Sequence, residues 1–380
     1  MSKNYDVIVI GVGAMGSSAC HELAKRGARV LGLEQFDIPN ALGSSHGQSR
    51  MIRKAYFEHP DYVPLLRRAY DLWDELEAIS SQKLLHRTGG IYIGPIDGEV
   101  VGGSLRAARE HGLAHDLLDH AELRKRFPQF CVPEEWSALY EADAGFLTPE
   151  NSIAAYAQAA LRAGADLHGR ERVVHWKSEA TGAKVQTNAG EYSTDQIVFC
   201  GGPWTAGLLA DLGVKLLVTR QVWGWVWPTD PEPFALGRFP VWAIDHLDGT
   251  LHYGFPLLPD VPGFKIGHHG PGKETDPDRV ARDPQPGDEQ TFRPVLRQMI
   301  PAANGPLLSM KVCMYTNSPD HHFIVDRHPL HDRVTLACGF SGHGFKFASV
   351  IGEILADLAL HGKTNLPAQF LGLGRFSIPQ

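Results

Sequence analysis

Two short polar segments of the chain concentrate side chains that could bind an anion or move a proton. One contains His46, Arg50 and Arg53, and the other contains Lys265 and His269. Arginine can hold a carboxylate with two hydrogen bonds, lysine supplies a point charge, and histidine titrates near neutral pH. This combination is typical of a site for a small anionic molecule, although a solvated basic loop has a similar composition.

The same residue types do not predict a metal site. His268 and His269 are neighbours on a predicted strand, so their side chains point to opposite faces and cannot both ligate one ion. The cysteines form no CxxC pair, and they lie at Cys20, Cys131, Cys200, Cys313 and Cys338. An odd and scattered set of cysteines fits neither a zinc site nor a disulfide framework.

A third segment, GFSGHG at residues 339–344, resembles a nucleophile elbow between a strand and a helix. The elbow requires glycine two places after the serine, and His343 stands there, which disfavours a serine hydrolase. The loop has an alternative use, because the helix predicted from Phe345 onwards can present N–H donors to an electron-rich ligand atom. Gly342 and Gly344 would then lie next to that ligand.

The elements that position these segments begin with a strand–helix–strand unit at the N-terminus. The apolar run DVIVI is followed at once by Gly11, Gly13 and Gly16, then by a helical stretch and a second strand that ends at Glu34. Glycines at the first turn and an acid about twenty residues later form the dinucleotide-binding fingerprint. The glycines allow a tight turn and close approach of a pyrophosphate, and the acid accepts hydrogen bonds from ribose hydroxyls.

The rest of the chain departs from a nicotinamide-dependent dehydrogenase. Repeated βα units are expected there, but a capped helix that begins at Thr148 is followed mainly by strands. This order favours an FAD-type fold whose first domain is discontinuous. A strand-rich block at residues 217–310, with an Asp248-Gly249 hairpin turn, predicts a second domain with an antiparallel sheet.

Composition narrows the class of partner. The chain has 380 residues, of which 43% are hydrophobic and 21% are charged, and its formal net charge is −7. A net acidic chain without a basic run argues against nucleic acid or an anionic membrane as the partner. No apolar stretch approaches the ~20 residues of a membrane span, and no signal-peptide pattern is present, so the expected location is the cytoplasm.

Stretches spread over nearly the whole chain resemble one known family. They are GVGAMGSSA, GSSHGQSRMIRKAY, YVPLLRRAYDLWDELE, LHYGFP with GFKIGHHG, KVCMYTNSPDHHFIVD, and CGFSGHGFKFASVIGE. In these stretches the chain is similar to the monomeric sarcosine oxidases and N-methyltryptophan oxidases, flavoenzymes that oxidise secondary amines of amino acids. The resemblance implies FAD as the cofactor.

The resemblance also implies roles for individual residues. Cys313 matches the cysteine that carries FAD covalently through an 8α-S-cysteinyl bond. Arg53 and Lys346 match the arginine and lysine that hold the substrate carboxylate. Lys265 matches the lysine that activates oxygen above the flavin ring, where a fixed cation stabilises the charge that develops on O2.

Further matches complete the predicted site. His46, Arg50 and His269 match polar residues that line the flavin site, and Tyr253 matches an aromatic residue on the substrate side. Gly342, Gly344 and Phe345 of the GHGFK segment are expected at the cofactor with the N-terminal glycines. The family pattern has two histidines after Gly-Ser, and Ser45 replaces the first of them here.

The predicted fold class is mixed α/β, with a Rossmann-like FAD-binding domain of the glutathione-reductase type and an inserted antiparallel-sheet substrate domain. The FAD-binding domain is predicted to comprise residues 1–85, 146–216 and 311–380. The substrate domain is predicted to comprise residues 86–145 and 217–310.

The expected activity is oxidation of a secondary amine that bears a carboxylate, by a monomeric enzyme. The substrate carbon next to nitrogen would give up a hydride, the imine would hydrolyse, and O2 would give hydrogen peroxide. Several alternatives remain open at this point: sarcosine, N-methyltryptophan or a cyclic imino acid as substrate, an electron acceptor other than O2, and a flavin-binding module without catalysis.

Overall fold

The computed structural model describes residues 4–376, which contain eight α-helices. Residues 1–3 and 377–380, which the predicted domain boundaries include, lie outside the described part. The helices are α1 (Ala14–Lys25), α2 (Tyr62–Ser80), α3 (Glu99–Glu110), α4 (His120–Arg126), α5 (Pro149–Arg162), α6 (Thr205–Leu208), α7 (Arg293–Met299) and α8 (Ala348–His361).

The strands are short, and most of them belong to one of two large sheets. In chain order they are β1 (Asn4–Ile10), β2 (Val30–Leu33), β3 (Arg50–Ile52), β4 (Leu85–Arg87), β5 (Gly90–Gly94), β6 (Asp116–Leu118), β7 (Ser137–Glu141), β8 (Gly145–Leu147), β9 (Asp166–His168), β10 (Val173–Glu179), β11 (Gly182–Thr187), β12 (Glu191–Phe199), β13 (Leu217–Val226), β14 (Val241–Asp245), β15 (Leu251–Gly254), β16 (Phe264–His269), β17 (Lys273–Glu274), β18 (Leu307–Asn317), β19 (Ile324–His328) and β20 (His331–Cys338).

The first sheet forms around the predicted strand–helix–strand unit. β1 lies between β2 and β12 and pairs with both in parallel, and β20 also pairs with β12 in parallel. Residues 7–10 of β1 are apolar and buried, as expected of a strand that is covered on both faces. Helices α1, α5 and α8 pack together in the largest apolar cluster of the core, on one side of this sheet.

The second sheet has nine strands in the order β17-β13-β16-β15-β14-β5-β7-β6, with β18 paired to β13. Its pairs are antiparallel except for β5 with β14. The Asp248-Gly249 turn does join β14 and β15 as an antiparallel hairpin. β18, which carries Cys313, belongs to this second sheet, although its second half was assigned by sequence to the first domain.

Some local predictions were incomplete. The sequence patterns do not indicate the elements between β5 and β7, where the structure has α3, β6 and α4. Thr148 precedes α5 as predicted, but its side chain makes no capping hydrogen bond. The helix predicted from residue 345 begins as a 3-10 turn, Phe345–Phe347, before α8. Among the described residues, no helix combines the length and apolar character that crossing a membrane requires.

Candidate cofactor and substrate site

One large cavity lies between the two sheets, with a volume of about 720 Å³. This volume is in the usual range for small-molecule sites, roughly 300–1,000 Å³. The cavity brings together the N-terminal glycine turn, the polar loop after β2, one face of the second sheet and the loop before α8. The predicted site residues that line it are Gly11, Gly13, Glu34, Arg50, Arg53, Tyr253, His269, Gly342, Gly344, Phe345 and Lys346.

The glycine turn has the geometry that the fingerprint predicts. Gly11 has a φ of +91°, and a Cβ there would clash with the carbonyl of Cys200, the residue that follows β12. Gly16 packs directly against the carbonyl of Gly11, so the helix approaches the turn closely. A Cβ at Gly13 would meet nothing within 4 Å, because this position faces the cavity. The open space beside Gly13 is where a pyrophosphate would approach the start of α1.

Glu34 closes the same end of the cavity. Its carboxylate accepts hydrogen bonds from the backbone N–H of Val12, at 2.9 Å, and of Phe36, at 3.0 Å. Burial raises the pKa of Glu34, and these backbone donors oppose that effect. The carboxylate therefore fixes the turn after β1, and it also lines the cavity, where it could accept hydrogen bonds from a ribose.

The opposite end of the cavity contains Arg53, which is 3% exposed. The Nη2 atom of Arg53 donates to both carboxylate oxygens of Glu58, at 2.8 and 2.6 Å, and Nη1 donates to the Ala55 carbonyl. The guanidinium also lies over the rings of Tyr56 and Phe57, 4.3 and 4.2 Å from their centroids. Burial raises the pKa of Glu58, but Arg53, His343 and Lys346 outweigh burial and lower it to about 2.

Lys346 is the second cation at this end, and it is 5% exposed. Its Nζ donates to the His343 carbonyl at 2.6 Å and lies 5.0 Å from the centre of the Tyr56 ring. Burial, and then the nearby Arg53, lower the pKa of Lys346 to about 7, while Glu58 opposes them. Two cations and one carboxylate thus share the pocket, which leaves one positive charge when Lys346 is protonated.

Arg50 and His46 surround Trp223 on the second sheet. Arg50 donates to the carbonyls of Ser49 and Ser44, and its guanidinium lies 4.8 Å from the Trp223 ring centre. His46 is 4% exposed and does not line the cavity. Burial, and then Arg50, lower the pKa of His46 to about 3, so this ring is neutral at physiological pH.

Lys265 does not line the cavity, but it lies directly behind two residues that do. Its Nζ donates to the carbonyls of Gly47 and Ser49, at 2.6 and 3.0 Å, and to the Ser49 hydroxyl. The ammonium lies 4.8 Å from the ring centre of Trp223 and 4.9 Å from that of Phe255, and both rings line the cavity. Burial, and then Arg50, hold the pKa of Lys265 well below its usual range, while the three oxygen acceptors around Nζ favour the protonated ammonium.

Cys313 is also behind the wall, packed with Trp223 and Trp225. Its thiol is 2% exposed and lies 3.6 Å from the Ser44 carbonyl, and the next residue, Met314, lines the cavity. Burial raises the pKa of the Cys313 thiol, and Arg50 opposes that effect.

The remaining predicted residues line the middle of the cavity. The ring centres of His269 and Tyr315 are 5.4 Å apart, and burial lowers the pKa of His269 to about 4. Tyr253 faces the same space from β15. The backbone at Gly342 lies against the Tyr315 ring, which holds the loop before α8 close to the second sheet. Tyr315, like Glu58, was not singled out from the sequence.

The second sheet and the residue after β13 contribute four tryptophans, Trp223, Trp225, Trp227 and Trp242, and of these four Trp223 alone lines the cavity that the described residues enclose. Trp225 and Trp242 are buried in apolar clusters, and Trp227 is 47% exposed. Trp223 and Trp225 lie two residues apart on β13 and share a face of the sheet, so their position along the strand, and not alternation, distinguishes them.

The glycine turn, Glu34 and the cavity define a dinucleotide-binding type of fold, with the second sheet on the other side of the cavity. A family model described as FAD dependent oxidoreductase matches residues 6–358. The monomeric sarcosine oxidase of Streptomyces avermitilis is 44% identical over 371 residues, which is 97% of this chain and 96% of that protein. The N-methyl-L-tryptophan oxidase of Salmonella enteritidis PT4 is 34% identical over 375 residues, or 98% of this chain and 99% of that protein.

Solved structures with the same fold include NikD, an unusual amino acid oxidase essential for nikkomycin biosynthesis, in its open form. It has a TM-score of 0.85 and 25% identity, and covers 98% of each chain. The L-proline dehydrogenase from P. horikoshii has a TM-score of 0.84 and 24% identity, covering 98% of this chain and 97% of its own. This chain belongs to the FAD dependent oxidoreductase family, and the predicted fold class and family resemblance are confirmed.

The residues at the cavity fit FAD. The open face of Gly13 at the start of α1 suits the pyrophosphate, and the Glu34 carboxylate suits a ribose. The cavity continues from this end, past the residues of the loop before α8, to Arg53 and Lys346. It therefore has space for the ring system between the nucleotide end and the two cations.

Proposed function

We propose that this enzyme oxidises a secondary amine of an amino acid, such as sarcosine or another N-methyl amino acid, with O2 as the acceptor. Bound FAD supplies the redox chemistry, taking two electrons from the substrate and passing them to O2. The protein supplies orientation and charge. The products are an imine, which hydrolyses to formaldehyde and an amino acid when the substrate is N-methylated, and hydrogen peroxide.

The observation that carries the proposal is the pair of buried cations at one end of the cavity. Arg53 and Lys346 together exceed the charge of Glu58 by one unit when Lys346 is protonated. A substrate carboxylate would neutralise this excess in a site of low dielectric, where charge balance is strongly favoured. The carboxylate would be anchored there, and its amine would point towards His269 and Tyr253 in the middle of the cavity.

The substrates named for the relatives support the class of amine, and their names also support a monomeric state for this chain. The sarcosine oxidases and the N-methyl-L-tryptophan oxidases differ in the size of the side chain that they accept, so the individual substrate stays open between them. An acceptor other than O2 is the second candidate activity, because the proline dehydrogenase shares the fold.

An anaerobic screen tests the substrate class. Yellow holoenzyme is mixed under argon with N-methyl amino acids, cyclic imino acids and the matching amines without a carboxylate. We expect the visible absorbance of FAD to bleach with one or more of the carboxylate-bearing secondary amines and to persist with the matched amines. Absorbance that persists with every secondary amine would contradict the proposal and favour a flavin-binding module without catalysis.

We also propose that FAD is attached covalently through Cys313. The attacking form of cysteine is the thiolate, and the positive charges of Arg50 and Lys265 favour it against burial. The expected result is yellow fluorescence on the protein band after acid precipitation and denaturing electrophoresis, and its loss in Cys313→Ser. Cys338→Ser, which changes another buried cysteine, is the matched control and should keep the fluorescence. A wild-type band without flavin would refute the attachment.

The pKa of Lys346 predicts how anion binding depends on pH. Protonated Lys346 attracts a carboxylate and neutral Lys346 does not, so binding should weaken as pH rises through about 7. Between pH 6 and pH 8 we expect the Kd of a simple carboxylate such as propionate to rise about tenfold, as loss of one linked proton requires. Spectroscopic titration of the flavin absorbance measures this Kd without turnover.

The neighbouring groups do not titrate in this window. The pKa values of Glu58, His269 and His343 are about 2, 4 and 3, so their charges are constant between pH 6 and pH 8. Lys346→Met is the matched variant, and its weaker binding should be independent of pH. The same tenfold change in Lys346→Met would show that another group controls carboxylate binding.

A further inference from the structure

A cluster of three potential metal ligands lies outside the cofactor cavity. Asp211, His328 and His331 each offer one donor atom, and these atoms all lie within 4.8 Å of one another. The Nε2 of His331 is 2.9 Å from one Asp211 oxygen, and the Nε2 of His328 is 3.3 Å from the other. None of the three residues lines the cavity.

The fold assembles the cluster from two separate parts of the chain. His328 ends β19 and His331 begins β20, and a bulge in this hairpin sets the two residues opposite each other, with ring centres 4.7 Å apart. Trp176 on β10 packs edge-on against both rings. Asp211 comes from the segment after α6, more than a hundred residues earlier, which is why the sequence did not indicate the site.

We propose that Asp211, His328 and His331 bind one divalent transition-metal ion, with zinc as the preferred occupant. Two imidazoles and one carboxylate form a donor set that zinc accepts, with water as the fourth ligand. Donor atoms bound at ~2.05 Å with tetrahedral angles lie about 3.3 Å apart. Each histidine lies at about this distance from one of the two Asp211 oxygens, at 2.9 and 3.3 Å, and the three donor atoms all lie within 4.8 Å of one another, so an ion requires the side chains to close by about 1–1.5 Å.

The buried histidine gives independent support. His328 is 3% exposed, and within residues 4–376 its Nε2 has no hydrogen-bond partner of acceptable geometry. A buried polar atom without a partner is costly, and a bound ion would satisfy it. The Nδ1 of His328 accepts a hydrogen bond of 3.2 Å from the Leu330 N–H. A metal ion at Nε2 requires the ring proton at Nδ1, so the Leu330 N–H loses this acceptor; Leu330 lies in an exposed turn, where water can replace it.

In the described part of the chain, the donor atoms of the cluster are not occupied by neighbouring cations. Arg327 and Arg333 are the basic residues closest to the cluster in sequence, and their guanidinium groups donate to the backbone carbonyls of Asp332, and of Asp195 and Ala180, instead of to the cluster. Asp211 is 45% exposed at its side chain and His331 is 28% exposed, so an ion can enter from solvent.

A bound ion would join the turn between β19 and β20 to the segment after α6. β20 runs from this cluster to the loop at residues 339–344, so the ion would sit at the far end of a strand that ends at the cofactor cavity. Its expected role is to stabilise the fold, because it binds the folded state and not the unfolded chain.

Metal titration of the holoenzyme tests the inference. Protein without an affinity tag is treated with a chelator, dialysed, and titrated with zinc by calorimetry, with cobalt as a spectroscopic substitute. We expect one equivalent to bind, with visible absorption bands of four-coordinate cobalt and a higher Tm with zinc. Asp211→Ala and His331→Gln should each weaken binding by roughly tenfold or more, since even changes to outer-shell partners cost 10- to 100-fold.

His175→Gln is the matched control, because His175 is an exposed histidine on β10 outside the cluster, and it should keep wild-type affinity. The flavin spectrum and the circular dichroism of each variant confirm that it is folded. Wild-type protein that binds no zinc, or zinc binding that is equal in the wild type, Asp211→Ala and His331→Gln, would overturn the proposal.

Discussion

Replacement of Arg53 by Met is expected to weaken binding of carboxylate-bearing amines by about 2–5 kcal/mol, or roughly 30-fold to several-thousand-fold in Kd. This is the scale for removing one partner of a buried charge pair. The planar guanidinium of Arg53 suits a substrate carboxylate for the same reason that it suits the carboxylate of Glu58. Amines without a carboxylate should lose much less. Anaerobic titration of the flavin absorbance with matched pairs of amines measures both effects.

A second variant separates loss of the substrate contact from damage to the pocket. Arg53→Met leaves Glu58 buried without its main partner, and such a stranded charge is itself destabilising. The double variant Arg53→Met/Glu58→Gln replaces the Glu58 carboxylate by a neutral amide. Its fold should therefore recover, while its binding of the substrate carboxylate should stay weak. Recovery of wild-type affinity in the double variant, or equal losses for both classes of amine, would show that Arg53 does not hold the substrate.

Replacement of Lys265 by Met is expected to slow reaction of the reduced enzyme with O2 by ~10²–10³-fold, the usual effect of removing one preorganised electrostatic group. Negative charge develops on O2 when it is reduced, and the Lys265 ammonium lies 4.8–4.9 Å from two ring centres in the cavity wall. Little charge develops near this lysine when the substrate C–H bond is broken. Anaerobic reduction by substrate should therefore change far less.

Stopped-flow mixing measures the two half-reactions separately. Lys265→Arg keeps a positive charge and should retain part of the rate with O2, which distinguishes charge from packing. The flavin spectrum and Tm of each variant report on packing against Trp223 and Phe255. A Lys265→Met enzyme that reacts with O2 at the wild-type rate would remove Lys265 from the oxygen-reacting step.

Sequence reasoning was most successful where function depends on local spacing. The first glycine turn, Glu34 and the loop before α8 each follow a buried strand, so their position at the sheet edge could be predicted from short patterns. Gly11, Gly13, Glu34 and Gly342 all line the cavity as a result. Their neighbours in the chain are also their neighbours in space.

Contacts between distant segments were not predictable in this way. Glu58 lies five residues after Arg53, but a single acid in a polar segment does not reveal that it will pair with that arginine rather than with solvent. Lys265 and Cys313 were expected against the cofactor, whereas the structure places both behind Trp223, because this large ring occupies the face of β13 between them and the cavity. Asp211 joins two histidines only through the path of the chain around the first sheet.

Oxygen consumption during turnover of an N-methyl amino acid decides whether the enzyme is an oxidase. An oxygen electrode is combined with assays for hydrogen peroxide and formaldehyde in one reaction, with the amine that reduces the enzyme under argon. We expect the O2 consumed, the peroxide formed and the formaldehyde formed to be equal in amount. An oxidase would be contradicted if that amine reduces the flavin without O2 uptake and turnover requires an added artificial acceptor. That result would identify a dehydrogenase.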